Sequence, residues 1–570
     1  MASPFFPFRP DGALAVEGGA AIGWPRTLLI FGPHLVALAI MYATEPDVWS
    51  CFAFLLAWGL LNFFWMVMLR RPGLSGLLSL GLTIGLILAS RLKHDVVQMT
   101  ANFVDLMMID SSTISFLLTI FPRLRWSLLL SILLAIPVAV LLWRLDPFRI
   151  RRLTAATVGL GFLASLAGLS TVWPNEAWQG YFDDGYVSKF ARSGVNAISD
   201  YVSDGFMESD PVVAERLRLP LEESCHPAGR RPHIIMIHDE SSFDMRIAPS
   251  VKLPAGYGDH FRSYDGKQRT FVVEGNGGPS WFTEYNVLAG LSSRSYRRFA
   301  YFVTRIAAGR VERGLPLALR RCGYSTVSLY PALGGFMSAK SFQMTTGIER
   351  VLDAKELGAK AIEPDSFFYN RALNEFAQQK PTAPLFMFLY LSANHFPWDF
   401  SFRPELSPSW RSLGNAPNVD EYLRRQMVSA RDYQSFLAQI KRRFPGEPFL
   451  IVRYGDHQPE FSSTVIEPAL DEAGIARRLL AYDKRYYSTY YAIDAVNFKP
   501  VASDSAMETI DAAYLPVVIQ EAAGLPLDPS FAEQKSIMLR CNGEFYACKE
   551  GAEARRFNRM LIDAGYIKGL

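Results

Sequence analysis

Glu240, Ser280, His395, Asp456 and His457 are the residues whose types and settings could do chemistry together. Two carboxylates and an imidazole, with a serine hydroxyl as a fourth ligand, make a compact set for one divalent cation. A mixed oxygen and nitrogen set suits Mn²⁺, Zn²⁺ or Mg²⁺ and does not select cleanly among them. Such an ion would lower the pKa of the Ser280 hydroxyl and so make it a nucleophile at neutral pH. It would also neutralise charge on a phosphoryl oxygen during displacement. His395 could protonate a leaving alcohol or hold a phosphate oxygen. Each residue also has a plainer reading. Ser280 follows a glycine-rich turn, where serine is a common N-cap. His395 alone would be a capping or core histidine, and Asp456-His457 a turn with a helix cap.

What separates the two readings is where the residues sit. From about residue 229 short apolar runs alternate with helical stretches, which predicts an α/β fold with a mainly parallel sheet. "HIIMIHDESSFD" ends in Asp239 and Glu240, "PLFMFLYLSANHFPWDF" in Asn394 and His395, and "PFLIVRYGDHQPEF" in Asp456 and His457. A fourth run, "YSTVSLYP", ends near Tyr330. Polar residues at the C-terminal ends of three strands lie on the edge where open α/β sheets build their sites. The turn "GNGGPSWFTEYNVLAGL", from Gly275, gives way to a helical pattern after Ser280. Its glycines allow close backbone approach, Pro279 fixes the entry, and the free N–H groups of the helix start would face the same anion.

The front of the chain is different. Half of the 570 residues are hydrophobic. Five segments read as spanning helices, at roughly 24–43, 50–69, 73–90, 126–143 and 153–173. Four further spans and no clear small-residue cleavage site argue against a signal peptide at the first. Arg70, Arg71, Arg144, Arg149, Arg151 and Arg152 fall in loops assigned inside, and "TEPD" is acidic, so the residues after about 174 are expected outside. Arg91, Lys93, Arg123 and Arg125 fall on the other side. The apolar stretch 101–121 contains Asp105 and Asp110 and reads as an interfacial or re-entrant helix. Residues 174–228 are amphipathic, with Tyr186, Phe190, Val195 and Ile198 at roughly helical spacing. The expected organisation is therefore 1–173 transmembrane, 174–228 linker helices, 229–530 catalytic, and 531–570 a C-terminal extension.

A net charge of +3 without a basic block excludes nucleic acid as an expected partner. Five cysteines without a CxxC pair argue against a zinc–thiolate site. "CNGEFYAC" places Cys541 and Cys548 around an Asn-Gly turn, which predicts a hairpin and allows a disulfide in an oxidising compartment. Cys225 and Cys322 could form a second. The loop 403–418 is expected to be plain surface, with a lid or acceptor groove as the alternative.

At these residues the chain resembles the membrane-anchored transferases of the alkaline phosphatase/sulfatase superfamily, above all lipoteichoic acid synthases and bacterial phosphoglycerol transferases. Phosphoethanolamine transferases are more distant relatives. "IHDESS" matches the strand whose Glu binds metal, which implies that role for Glu240. Ser280 stands where the family has a nucleophilic Thr, with Glu284 four residues on. "NHFP" implies that His395 contacts the substrate phosphate, and "YGDH" gives Asp456 and His457 as a metal pair. The segment "ALGGFMSAKSF" lacks the family's Arg, Trp and Asp headgroup residues, and Lys340 and Tyr330 are the substitutes expected to bind substrate. Ser280 is followed by Trp281, Phe282 and Thr283, so the C/S-x-P-x-R signature of sulfatases is missing. No second cluster suits a two-metal phosphatase. The resemblance implies a multi-pass protein of the bacterial inner membrane with a periplasmic catalytic domain, and Mn²⁺ as the ion, with Zn²⁺ or Mg²⁺ as alternatives. It implies transfer of phosphoglycerol from phosphatidylglycerol to a glycan acceptor through a phospho-serine. The alternatives are phosphoethanolamine transfer, a phosphodiesterase or phosphatase using water, and a catalytically silent binding scaffold.

Overall fold

The computed structural model describes residues 24–570 apart from 98, 110, 121, 147, 174–179, 181, 218–224, 226–228, 361 and 379–382. Two compact units result, residues 1–109 with 117–199, and 110–116 with 200–570. Helices come first: α1 (Trp24–Thr44), α2 (Val48–Leu69), α3 (Pro72–Val97), α4 (Phe103–Met108), α5 (Ser111–Ile120), α6 (Pro122–Leu145), α7 (Arg152–Val172) and α8 (Tyr186–Asp204). Among the described residues, four stretches are long and apolar enough to cross a bilayer: Val48–Leu69, Pro72–Asp95, Leu124–Leu141 and Arg152–Val172. The segment expected at 24–43 is a helix, but its apolar run covers only Ile30–Thr44, short of the roughly 20 residues a crossing takes.

The stretch 101–121 is not one helix. It breaks into α4 and α5, each far too short to span. Asn102 caps α4 with a reciprocal capping box to Asp105, whose carboxylate also pairs with Lys93 at 2.8 Å. Asp110, the other acid of that stretch, lies outside the described residues, as do 174–179, 181, 218–224 and 226–228 of the expected linker. The amphipathic pattern is carried by α8, which buries Tyr186 and exposes Ile198, Tyr201 and Val202.

Among the described residues of the second unit, eight strands form one sheet: β1 (His233–Asp239), β2 (Arg269–Val272), β3 (Ser325–Leu329), β4 (Arg350–Leu352), β5 (Leu385–Tyr390), β6 (Phe449–Gly455), β7 (Ser488–Val496) and β8 (Thr509–Asp511). Their order is β4-β3-β5-β1-β6-β7-β2-β8. The sheet is mixed. The strands from β4 to β6 pair in parallel, while β7 runs antiparallel to both β6 and β2. The three central strands, β5, β1 and β6, are buried along their whole length, the pattern of strands covered on both faces. On one face Ile235, Ile237, Met387, Leu389 and Ile451 meet Phe368, Tyr433 and Phe436 of the helices Asp365–Gln378 and Pro417–Arg443.

Residues 531–570 fold into this same unit. The expected hairpin at 541–548 is absent. Cys541 instead ends the helix Pro529–Arg540, Asn542 and Gly543 turn the chain with positive φ, and Gly543 N bonds back to Met538 O at 2.9 Å. An Asn-Gly pair supplies left-handed residues, and a helix C-terminus uses them as readily as a hairpin does. Cys541–Cys548 and Cys225–Cys322 are both disulfides, and Cys51 in α2 is free.

Candidate metal centre and nucleophile

Strand register brings the carboxylates together. Asp239 on β1 pairs with Gly455 on β6, so the next residues, Glu240 and Asp456, leave the sheet side by side. The chain can turn there only because position 455 is glycine: a Cβ would stand 1.7 Å from Ser242 O. One ligand atom from each of Glu240, Asp456 and His457 lies within 4.8 Å of the others, and all three residues are buried.

Each ligand is held by its other atoms. Asp456 Oδ1 accepts from Ser241 N (2.7 Å) and His457 N (2.9 Å). Its Oδ2 is buried without a hydrogen-bond partner, 3.2 Å from both His238 Nε2 and His457 Nε2. His457 Nδ1 lies 2.9 Å from Gln458 O. A carbonyl only accepts, so Nδ1 carries a proton and Nε2 faces the cluster, the usual arrangement behind a metal-binding imidazole. Glu240 Oε1 accepts from Ser241 Oγ at 2.8 Å, and Oε2 from Tyr390 OH at 3.3 Å. Ser241 is held at φ 49°, with its carbonyl on Tyr422 OH at 2.7 Å. Left-handed backbone in a residue other than glycine is strain that concentrates at functional sites. A carboxylate oxygen without a hydrogen-bond partner, a second carboxylate and an imidazole nitrogen converging in a buried space fit one divalent cation.

Ser280 joins this cluster and is not the N-cap. Pro279 occupies the cap position, and Ser280 is the first residue of α9 (Ser280–Ala289). Its Oγ donates to Glu240 Oε2 at 3.3 Å and lies 3.1 Å from His457 Nε2. The glycine-rich turn is docked by Gly277 N on Gln458 O (3.0 Å) and Asn276 Nδ2 on Tyr486 O (2.7 Å). Thr283 Oγ1 ties α9 to Asp456 O at 2.6 Å. Not every N–H at the helix start is free for an anion: Ser280 N goes to Gly278 O and Phe282 N to Pro279 O, both at 2.9 Å. At the far end of α9, Arg313 donates to the carbonyls of Ala289 (2.5 Å) and Gly290 (3.2 Å), and Gln534 Nε2 to Gly290 O (2.7 Å). The C-terminal residues thus anchor the helix that presents Ser280.

The remaining residues named from sequence are placed differently. His395 is half-buried after β5, and its Nδ1 lies 2.7 Å from Phe396 O, which leaves Nε2 as its functional nitrogen. It makes no hydrogen bond to the cluster. Lys340 forms an exposed ion pair with Glu356 at 3.3 Å. Tyr330 is buried, its ring edge-on to Tyr390 at 5.4 Å. Glu284 is buried one turn after Ser280 and accepts from Gln343 Nε2 at 2.9 Å; burial, only partly countered by that bond, raises it to about 8. Sequence reading missed Tyr390, His238 and Ser241. Only the pairing of β1 with β5 places His238 beside Tyr390, and their rings stack at 3.9 Å.

Burial alone would lower the His457 imidazole, but the Asp456 and Glu240 carboxylates outweigh it and raise the group to about 9. Burial would raise Asp456, but His457 and His238 hold it below the usual carboxylate range. In the metal-free protein His457 is therefore protonated at pH 7, and a cation must displace that proton. Calorimetric titration with Mn²⁺ at pH 7, in buffers of different ionisation enthalpy, should show release of about one proton per ion, fading above pH 9. A buffer-independent heat would contradict the assignment. The same shift sets a stability trend. A folded pKa near 9, against an unfolded value near 6.5, gives stability that is complete below about pH 6.5 and lost as pH rises through 9. Metal-free melting temperature should fall across that window, and the metal-loaded protein should resist the fall.

Gly455→Ala tests the close approach. The added methyl must push β1 and β6 apart at their ends, which costs about 1–3 kcal/mol where a packed site has no room. Mn²⁺ affinity should drop at least about tenfold, with the secondary-structure signal retained; unchanged affinity would mean that the 455–242 contact is not what sets the ligands.

The strand ends thus carry a candidate cation cluster, with a hydroxyl beside it at the start of a helix. Residues 283–495 match the family model described as Sulfatase, a span that includes His395, Asp456 and His457 and begins just after Ser280. An uncharacterized protein of Haemophilus influenzae is 23% identical over 286 residues, 46% of this chain and 48% of that protein. This chain's match thus spans about half the length of that curated relative. Among solved structures, the Streptococcus pyogenes phosphoglycerol transferase GacH in complex with sn-glycerol-1-phosphate is similar at 15% identity and TM-score 0.44, over 60% of this chain and 87% of that one. The Neisseria meningitidis lipooligosaccharide phosphoethanolamine transferase EptA is similar at 11% identity and TM-score 0.44, over 83% and 95%. The Listeria monocytogenes lipoteichoic acid synthase LtaP follows at 14% identity and TM-score 0.37, over 51% and 72%.

Proposed function

We propose that this protein transfers a phospholipid headgroup, phosphoglycerol from phosphatidylglycerol, to a glycan hydroxyl outside the cytoplasmic membrane. The observation that carries this reading is the Ser280 hydroxyl, within hydrogen-bond reach of both Glu240 and His457 at the start of α9. Glu240, Ser280, Asp456 and His457 would hold one divalent cation, Mn²⁺ in this reading, which would favour the alkoxide form of Ser280 and offset charge on the phosphoryl group. Ser280 Oγ attacks phosphorus, a P–Oγ bond forms, and the bond to the diacylglycerol oxygen breaks. His395 gives that oxygen a proton from Nε2. The same nitrogen then takes the proton of the acceptor hydroxyl, whose oxygen forms the new bond to phosphorus as the bond to Ser280 breaks.

The apolar helices support a membrane anchor, and counting α1 as a fifth span would set the sheet domain on the far side from an inside N-terminus. Two disulfides support an oxidising compartment there. The domain limits we propose are 1–173 for the anchor, 174–228 for the linker, 229–530 for the catalytic part and 531–570 for the extension.

The test uses purified protein with Mn²⁺ and acyl-labelled phosphatidylglycerol or phosphatidylethanolamine in separate reactions. Diacylglycerol from phosphatidylglycerol alone is the expected result. Release from phosphatidylethanolamine alone would make the group transferred phosphoethanolamine. Release with no modified glycan, under any acceptor, would indicate water as acceptor. Release from neither would overturn the lipid-donor reading, and absence of bound metal would favour a binding scaffold.

A further inference from the structure

The loop that carries His395 is held from below by one buried guanidinium. Arg425, 1% exposed, stands near the start of the helix Pro417–Arg443. Its Nη1 donates to His395 O at 2.8 Å, and its Nη2 to Pro397 O at 2.9 Å and Phe400 O at 3.2 Å. Its Nε donates to Glu421 Oε1 at 2.7 Å, and its plane lies under the rings of Phe400 (5.1 Å) and Phe402 (5.2 Å). Glu421 Oε1 in turn accepts from Phe402 N at 2.9 Å, and Arg424 reaches Ser407 Oγ at 2.6 Å. Burying a guanidinium is costly unless every donor finds a partner. Here most of them are aimed at carbonyls of one short loop, starting with that of His395 itself. A rigid fork of this kind fixes directions as well as distances, which a lysine cannot do.

We propose that Arg425 is a positioning residue, which sets the His395 imidazole for proton transfer by clamping the carbonyls of 395, 397 and 400. The His395 Nδ1 contact to Phe396 O lies inside the clamped segment, so the ring is oriented by backbone that Arg425 holds. The proposal rests on the role of His395 given above.

Arg425→Lys, His395→Gln and the double variant should be compared for diacylglycerol release from phosphatidylglycerol micelles with Mn²⁺, alongside Mn²⁺ binding by calorimetry. Arg425→Lys should keep wild-type Mn²⁺ affinity and lose about 10–100-fold in kcat with little change in KM, the scale of a misplaced catalytic group. In the His395→Gln background the same change should cost less than about twofold. Equal losses in both backgrounds would overturn the proposal alone. Full activity of His395→Gln would remove the reading on which it rests, and the proposal with it. Should Arg425→Lys not fold, Phe400→Ala removes an exposed ring from the clamp. It should lose activity in the same direction by a smaller factor, again only when His395 is present; no loss would count against the clamp.

Discussion

Ser280→Ala is expected to abolish diacylglycerol release, lowering kcat by roughly 10³-fold or more. The size follows from the chemistry. Without Oγ no covalent phospho-enzyme can form, and water would have to attack phosphorus from a position that nothing in the cluster holds. The rest of the site should survive. Asp456 Oδ1 keeps its two backbone donors, and α9 keeps its bond from Thr283 to Asp456 O. Mn²⁺ affinity should therefore fall far less than activity does. Mass spectrometry of acid-quenched wild-type protein should find the phosphoglyceryl group on the peptide containing Ser280, and nowhere in the variant. Residual turnover within tenfold of wild type would exclude Ser280 as the nucleophile.

Asp456→Asn is the second large effect. The substitution preserves shape but removes the charge and one acceptor of the carboxylate that has an oxygen to spare. Loss of an outer partner of a metal ligand typically costs about 10–100-fold in metal affinity, and loss of a ligand should exceed that. Activity should vanish with the ion. A separate readout is thermal: in wild type, Mn²⁺ at about a hundred times its dissociation constant should stabilise by about 2.7 kcal/mol, and chelator should reverse it. The variant should melt at one temperature with or without Mn²⁺. A metal-dependent shift of wild-type size in the variant would mean that the ion sits elsewhere.

Much of the cluster was legible because its residues sit at strand ends, where local pattern and site geometry coincide. "IHDE" and "YGDH" both read as apolar runs closing on polar residues, and the sheet then places them in register. The glycine turn before Ser280 was legible as a turn, but only the fold shows that Pro279 takes the cap position and frees the hydroxyl. What escaped was non-local. Tyr390 and His238 look like ordinary strand residues until β1 and β5 pair. The reversal of β7 shows only in its register against β6. Lys340 looked available because sequence does not reveal that Glu356 lies within reach of it.

The pairing of Asp239 with Gly455 also has a temporal meaning. The three acid and imidazole ligands come from distant parts of the sheet domain's sequence, and Glu240 is translated long before Asp456 and His457. No partial chain ending before His457 contains the cluster, and no full chain has it until β1 and β6 align, a contact of high sequence separation of the kind that slows folding. Binding of an ion at this cluster would therefore report a finished topology.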